Sequence, residues 1–239
     1  MNSVNLAADD LSLSLSPSVG GSISSLEWHG RGGSRSILRK CHSDLEKVLD
    51  AACFPLVPYV NRIRDGAFVF RGREVRLAAN MPGDPSPLHG QGWLADWQIE
   101  KANERAAILR YRHQPGEWPW YYEAKQAFAL DAGGLSLTLT CRNISDEPMP
   151  CGLGQHPYFP CGAETLLRTS VETAWVIDDK VLPVEQVTAQ GRYNLEDRLV
   201  CGQGLDNGFG GWGGEARLWD PAWPYEIRMS SPDACFFQL

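Results

Sequence analysis

Leu11, Leu13 and Leu15 alternate with Ser12, Ser14 and Ser16. A period of two puts the leucines on one face of an extended segment and the serines on the other, so this run predicts a half-buried strand. Pro17 stops it, and Gly20-Gly21 turns the chain. The alternation returns at Ala124, Gln126, Phe128 and Leu130, set against Lys125, Ala127 and Ala129. It returns again at Leu135, Leu137 and Leu139, set against Ser136, Thr138 and Thr140. Asp131-Ala132-Gly133-Gly134 separates these two runs, which together predict a β-hairpin.

Shorter runs fill the rest. Ile23 to Trp28, Phe68 to Phe70, Val75 to Leu77, Trp97 to Glu100 and Ala106 to Arg112 predict strands. So do Ala216 to Trp219, Tyr225 to Met229 and Cys235 to Leu239, and Leu166 to Val176 holds one or two more. Gly30 to Ser36 reads as a loop, and Asp65-Gly66 as a hairpin turn. Phe54 to Tyr59 carries two prolines, so it should run extended without full ladder pairing. Ser43-Asp44-Leu45-Glu46 has the spacing of a capping box for a short helix ending near Ala52. Glu185 to Gly204 is polar and shows no period. Many short strands, regular turns and no long helical pattern predict an all-β antiparallel sandwich, as one domain over residues 1–239.

Composition narrows the function. The net charge is -7 and no long block of like charge occurs, so nucleic acid and anionic membranes are not expected as partners. No apolar run reaches the roughly 20 residues of a membrane span, and Met1 to Asn5 lacks the pattern of a signal peptide. The seven cysteines are odd in number and form no Cys-x-x-Cys pair. They are expected as reduced thiols in a cytoplasmic protein, with no metal cluster and no cofactor. The nine tryptophans either fill the core or offer flat walls to sugar rings.

Candidate chemistry gathers at four places. In Gly154-Gln155-His156-Pro157-Tyr158-Phe159-Pro160 the proline forces His156 to be extended and ends a strand. The others are Asn61-Arg62-Ile63, His89-Gly90 and Leu205-Asp206-Asn207-Gly208-Phe209. Histidine exchanges protons near neutral pH, so His89 and His156 suit acid–base chemistry on a neutral polar ligand. No Gly-x-Ser-x-Gly elbow is present, and no His-Glu-x-x-His spacing supports metal binding. Each residue also has a structural reading. His156 and His89 serve equally as packed or loop histidines, Arg62 as an ion pair at a hairpin base, and Asp206 as the start of an Asx turn.

The ordered set resembles the aldose 1-epimerase (galactose mutarotase) family. Asn61-Arg62-Ile63 resembles its substrate-binding Asn-Arg segment, and Leu88-His89-Gly90 its His-Gly motif. His156-Pro157-Tyr158-Phe159 resembles its His-Pro-Tyr-Phe motif, and Leu205 to Phe209 its Asp-containing sugar-binding turn. The resemblance runs from about Leu13 to Leu239. It implies a β-supersandwich and the interconversion of α and β anomers of a free hexose such as glucose or galactose. It also implies that His156 protonates the ring oxygen with assistance from His89, and that Asn61, Arg62 and Asp206 hold the sugar. The partner is then a small-molecule sugar, with the protein a monomer or homodimer.

Two other readings stay open: a hexose-6-phosphate 1-epimerase, with Arg62, Arg64, Arg71, Arg73 and Arg76 as a cationic set, and a non-catalytic sugar-binding protein. The family places its general base, a glutamate, beyond the equivalent of Phe236-Phe237-Gln238-Leu239, where this sequence stops. Glu215 and Glu226 are the nearest glutamates, in no matching motif. The 239-residue form is therefore expected to bind hexoses weakly, to self-associate and to accelerate mutarotation little or not at all.

Overall fold

Leu13 and Leu15 are fully buried and Leu11 nearly so, while the serines between them are half-buried, as the alternation requires. They lie on β2 of a computed structural model that describes residues 3–41 and 45–239. The chain groups into two units, Met1–Pro160 and Cys161–Leu239.

Among its described residues the first unit holds twelve strands. They are β1 (Val4–Ala8), β2 (Leu11–Ser16), β3 (Ser22–Gly30), β4 (Gly33–Ser36), β5 (Cys53–Leu56), β6 (Ala67–Phe70), β7 (Arg73–Arg76), β8 (Gln98–Ala102), β9 (Ala106–His113), β10 (Tyr122–Asp131), β11 (Gly134–Asn143) and β12 (Gly154–Pro157). One sheet runs in the order β1-β2-β3-β5-β12, with β4 paired to β3; another runs β11-β10-β9-β8; β6 and β7 form a separate hairpin. All the strand pairings within these sheets are antiparallel. The predicted hairpin is β10–β11, in register from Tyr122 opposite Asn143 to Asp131 opposite Gly134.

Inward residues of β10 are Tyr122, Ala124, Gln126, Phe128 and Leu130, all at most 2 % exposed. Gln126 is tolerated there because its amide is bonded at both ends. Nε2 donates to the Gly21 carbonyl at 2.8 Å, and Oε1 accepts from Gln155 Nε2 at 3.2 Å. Trp93, Trp97, Trp118 and Trp120 are buried, so these four fill the core rather than offering open walls.

Three local expectations change. Gly33–Ser36 is a strand, because its backbone pairs with β3 although its side chains are exposed and carry no apolar period. Asp65-Gly66 belongs to a 3-10 turn that feeds β6, and the hairpin itself turns at Arg71-Gly72, both with positive φ. The capping box lies partly outside the described residues, and Val48–Asp50 forms only a single 3-10 turn.

The second unit holds β13 (Leu166–Thr169), β14 (Thr173–Ile177), β15 (Pro183–Thr188), β16 (Arg198–Leu199), β17 (Gly208–Gly210), β18 (Glu215–Trp219), β19 (Ile227–Ser230) and β20 (Phe236–Gln238). They form two four-stranded sheets, β16-β13-β18-β19 and β15-β14-β17-β20. Ala174, Leu195 and Phe209 are fully buried in its core. Cys161 and Cys201 are joined as a disulfide with Cα atoms 6.2 Å apart, within the span such a bond requires. The expectation of seven reduced thiols is corrected for this pair, which folding brings together across 40 residues of sequence. No helix among the described residues is long and apolar enough to cross a membrane.

Candidate active site

The last strand of the first unit delivers His156. β12 runs antiparallel to β5, with His156 opposite Phe54 and Pro157 opposite Cys53. Pro157 lacks an N–H and the strand ends on it, as the sequence predicts. Cross-strand neighbours on one face of a sheet touch. The Phe54 ring stacks on His156 with centroids 4.8 Å apart, and Tyr158 stacks on His156 at 4.7 Å. Phe54 and Tyr158 are themselves 6.1 Å apart, so the three rings form a triangle rather than a column. Arg39 closes the outer side, its guanidinium carbon 3.7 Å from the Tyr158 centroid. Its Nε donates to the Ala51 carbonyl at 3.0 Å, and its peptide N–H donates to the Tyr158 carbonyl at 2.7 Å.

His89 arrives from a different direction and meets the same cluster. Its ring centroid is 5.6 Å from that of His156, at 80°. Phe54 lies 6.4 Å from His89 and 5.6 Å from Trp93, so Phe54 neighbours every ring of the group. His89 and Asn61 both sit in the left-handed region, at φ 60° and 63°. Such φ values are uncommon outside glycine, with Asn and His among the residues that tolerate them best.

Reciprocal bonds hold this geometry. The His89 N–H donates to the Asn61 carbonyl at 3.0 Å, and the Asn61 N–H donates to His89 Nδ1 at 3.1 Å. A backbone N–H is only a donor, so Nδ1 is the acceptor, and the proton of the neutral ring sits on Nε2. The flanking carbonyls are clamped as well. Asn80 Nδ2 donates to Leu88 O at 2.7 Å and Gly90 O at 3.1 Å. Trp93 Nε1 reaches the same two oxygens at 3.0 and 3.1 Å. Gly90 is required here: its φ is +77°, and a Cβ would fall 2.3 Å from the Val57 carbonyl oxygen.

Burial pushes the His89 imidazolium well down, to about 3, with the nearby His156 and Arg62 adding to the effect. His89 is therefore a neutral Nε2–H donor near pH 7. The unfolded chain takes up a proton near pH 6.5 that the folded chain resists down to about pH 3. Stability present above pH 6.5 is thus lost as pH falls through that window, by at most about 1.4 kcal/mol per pH unit. We expect His89→Asn, which keeps a residue tolerant of positive φ, to flatten the acid limb of a urea-midpoint profile between pH 7 and 4. An unchanged slope would remove His89 as its cause.

Arg62 stands beside this pair. Its backbone N–H donates to Asn61 Oδ1 at 2.8 Å. Its Nε donates to Asp84 Oδ2 at 2.7 Å, and Nη1 donates to Asn61 Oδ1 at 3.3 Å. The ion-pair reading of Arg62 thus holds, yet the pair is enclosed rather than lying on an open hairpin. Asn61, Arg62, His89 and His156 are brought together within the first unit. Asp206 lies in the second unit, exposed, where Oδ1 accepts from Gln238 Nε2 at 3.0 Å. Glu226 is ion-paired to Arg228 at 2.7 Å, and Glu215 is exposed on β18.

Sequence reasoning missed Arg39, Phe54, Asn80 and Asp84. None stands in a motif; Asp84 lies in a Pro/Gly loop and Phe54 in a run read only as apolar backbone. Among the described residues no group of three or more His, Cys, Asp or Glu side chains is placed to hold a metal ion. What the cluster offers is two imidazoles, one of them a fixed neutral donor, beside a guanidinium and an amide.

The chain belongs to the aldose 1-epimerase family, which it matches over residues 3–239. It is 37% identical over 193 residues to the uncharacterized protein YphB of Escherichia coli K12, covering 79% of this chain and 66% of the relative. It is 28% identical over 134 residues to YihR of the same organism, also described as uncharacterized, covering 54% and 44%. The chain thus spans about two thirds of the one and less than half of the other. An E. coli K12 structure described as a candidate aldose 1-epimerase superposes with TM-score 0.90 at 33% identity, covering 99% of this chain and 80% of that one. A galactose mutarotase-like protein from Clostridium acetobutylicum gives TM-score 0.84 at 19% identity, covering 99% and 79%, and shares the fold.

Proposed function

We propose that the protein is an aldose 1-epimerase that interconverts the α and β anomers of a free hexose. The observation that carries this reading is the His89–His156 pair, 5.6 Å apart and backed by one phenylalanine. Ring opening of a hemiacetal needs a proton delivered to the ring oxygen as the C1 hydroxyl loses its own. In this reading His156 delivers the proton, and water takes the one that the C1 hydroxyl releases. His89 donates a hydrogen bond from Nε2 to the same region and does not itself transfer a proton, being neutral and already accepting through Nδ1. Asn61 and Arg62 hold sugar hydroxyls. Family membership and the order of the four motifs support the assignment.

Polarimetry on freshly dissolved α-D-glucose and α-D-galactose tests it. The expected result is relaxation faster than in enzyme-free buffer. Binding of either sugar by calorimetry without any rate enhancement would replace the epimerase with a sugar-binding protein.

A further inference from the structure

Arg62 does not stand alone in the cluster. Asp84 accepts from its Nε, and the two side chains are only 13% and 9% exposed. The other carboxylate oxygen, Oδ1, accepts from the Ser86 N–H at 2.9 Å, so the carboxylate is fixed by its own turn. The segments that carry the pair are tied together by their backbones, with Arg62 bridged to Leu88 and the Ile63 N–H bonded to Pro87 O at 3.1 Å. Of the five N–H groups of a guanidinium, Asp84 takes Nε–H and Asn61 takes one at Nη1. The remaining donors lie at the Nη edge.

We propose that Asp84 is a positioning and specificity residue that aims the Nη edge of Arg62 and cancels its charge, so that the site selects uncharged sugars over sugar phosphates. The inference rests on the epimerase reading for its substrate. Its physical basis is separate: an enclosed ion pair is little screened by salt, and it presents donors and acceptors side by side. A polyol hydroxyl, both donor and acceptor, suits that pair. A phosphate monoester carries nearly two negative charges at neutral pH. It would meet a guanidinium whose charge a carboxylate already balances, and a neutral His89.

The test compares a free hexose with its 6-phosphate on wild type, Asp84→Asn and Asp84→Glu. Asp84→Asn keeps the shape but has one acceptor oxygen for two donors, Arg62 Nε and the Ser86 N–H, so Arg62 stays charged and is less firmly aimed. Losing a hydrogen bond between charged groups raises KM for the free sugar roughly 10-fold or more. Over the same change the 6-phosphate should gain affinity, so the ratio of kcat/KM for the two sugars should fall by more than KM alone accounts for. Asp84→Glu retains the charge and should retain the preference. A structural role alone would lower both sugars equally in Asp84→Asn. That result, or loss of the preference in Asp84→Glu, or a wild-type protein that binds the 6-phosphate more tightly than the free sugar, would overturn the proposal. Should Asp84→Asn fail to fold, the Glu variant and the wild-type affinities decide. If wild type mutarotates neither sugar, the epimerase reading falls. The charge selection is then read from calorimetric affinities of the same two sugars.

Discussion

His156→Ala should remove the acceleration of mutarotation that the protein gives, up to the roughly 10²–10⁴ a general acid contributes, while changing the affinity for the sugar only a few-fold. A general acid acts on the ring oxygen as charge develops there, so its removal is felt in the transition state and little in the bound ground state. The truncation also opens space beside Phe54 and Tyr158, whose centroids lie 4.8 and 4.7 Å from the imidazole. His156→Gln serves as the control for that loss of packing. It refills most of the volume and keeps a hydrogen-bond donor, but it has no proton to give near neutral pH. Both variants should therefore be similarly slow, with thermal midpoints that differ. A rapid Gln variant would transfer the acid role to another residue. Polarimetry supplies the rate and calorimetry the affinity.

The second large effect is on stability. Trp93 is 1% exposed and stacks on Phe54 at 5.6 Å. Its ring stands edge-on to His89, with centroids 5.8 Å apart. Trp93→Ala should cost about 3–5 kcal/mol of folding stability, the range for emptying a buried aromatic site. Because Nε1 binds the carbonyls on both sides of His89, the change also loosens the turn that holds His89. Trp93→Phe separates the two contributions. It keeps most of the ring and drops only the indole N–H, so much of the stability should return while the turn stays less well held. Urea unfolding gives the stability, and kcat/KM gives the state of the turn. If Trp93→Phe matches wild type in both, the indole hydrogen bonds contribute nothing and the clamp belongs to Asn80.

Much of this arrangement was legible before any coordinates. The leucine–serine run at 11–16 and the hairpin of β10 and β11 follow from period two, because one face of each is buried. Pro157 announced the end of β12. Asn61, Arg62, His89 and His156 could be singled out because their motifs occur in a known order. The gaps have physical causes. Gly33–Ser36 pairs through its backbone and leaves no pattern in its side chains. Asp84 acts through a contact 22 residues away from Arg62 in sequence, and nothing local marks it. Cys161 and Cys201 form a disulfide across a separation of 40 residues, which spacing alone does not encode.

The Phe54 ring neighbours both His89 and His156, and this makes it a magnetic reporter as well as a packing residue. The circulating electrons of its ring, with those of Tyr158 against His156 and Trp93 against His89, shift the imidazole C–H resonances away from those of an exposed histidine such as His29. The two signals can then be followed individually through a titration. A sugar entering the site displaces these rings or their surroundings and moves both lines together, whereas a ligand bound elsewhere leaves them where they are.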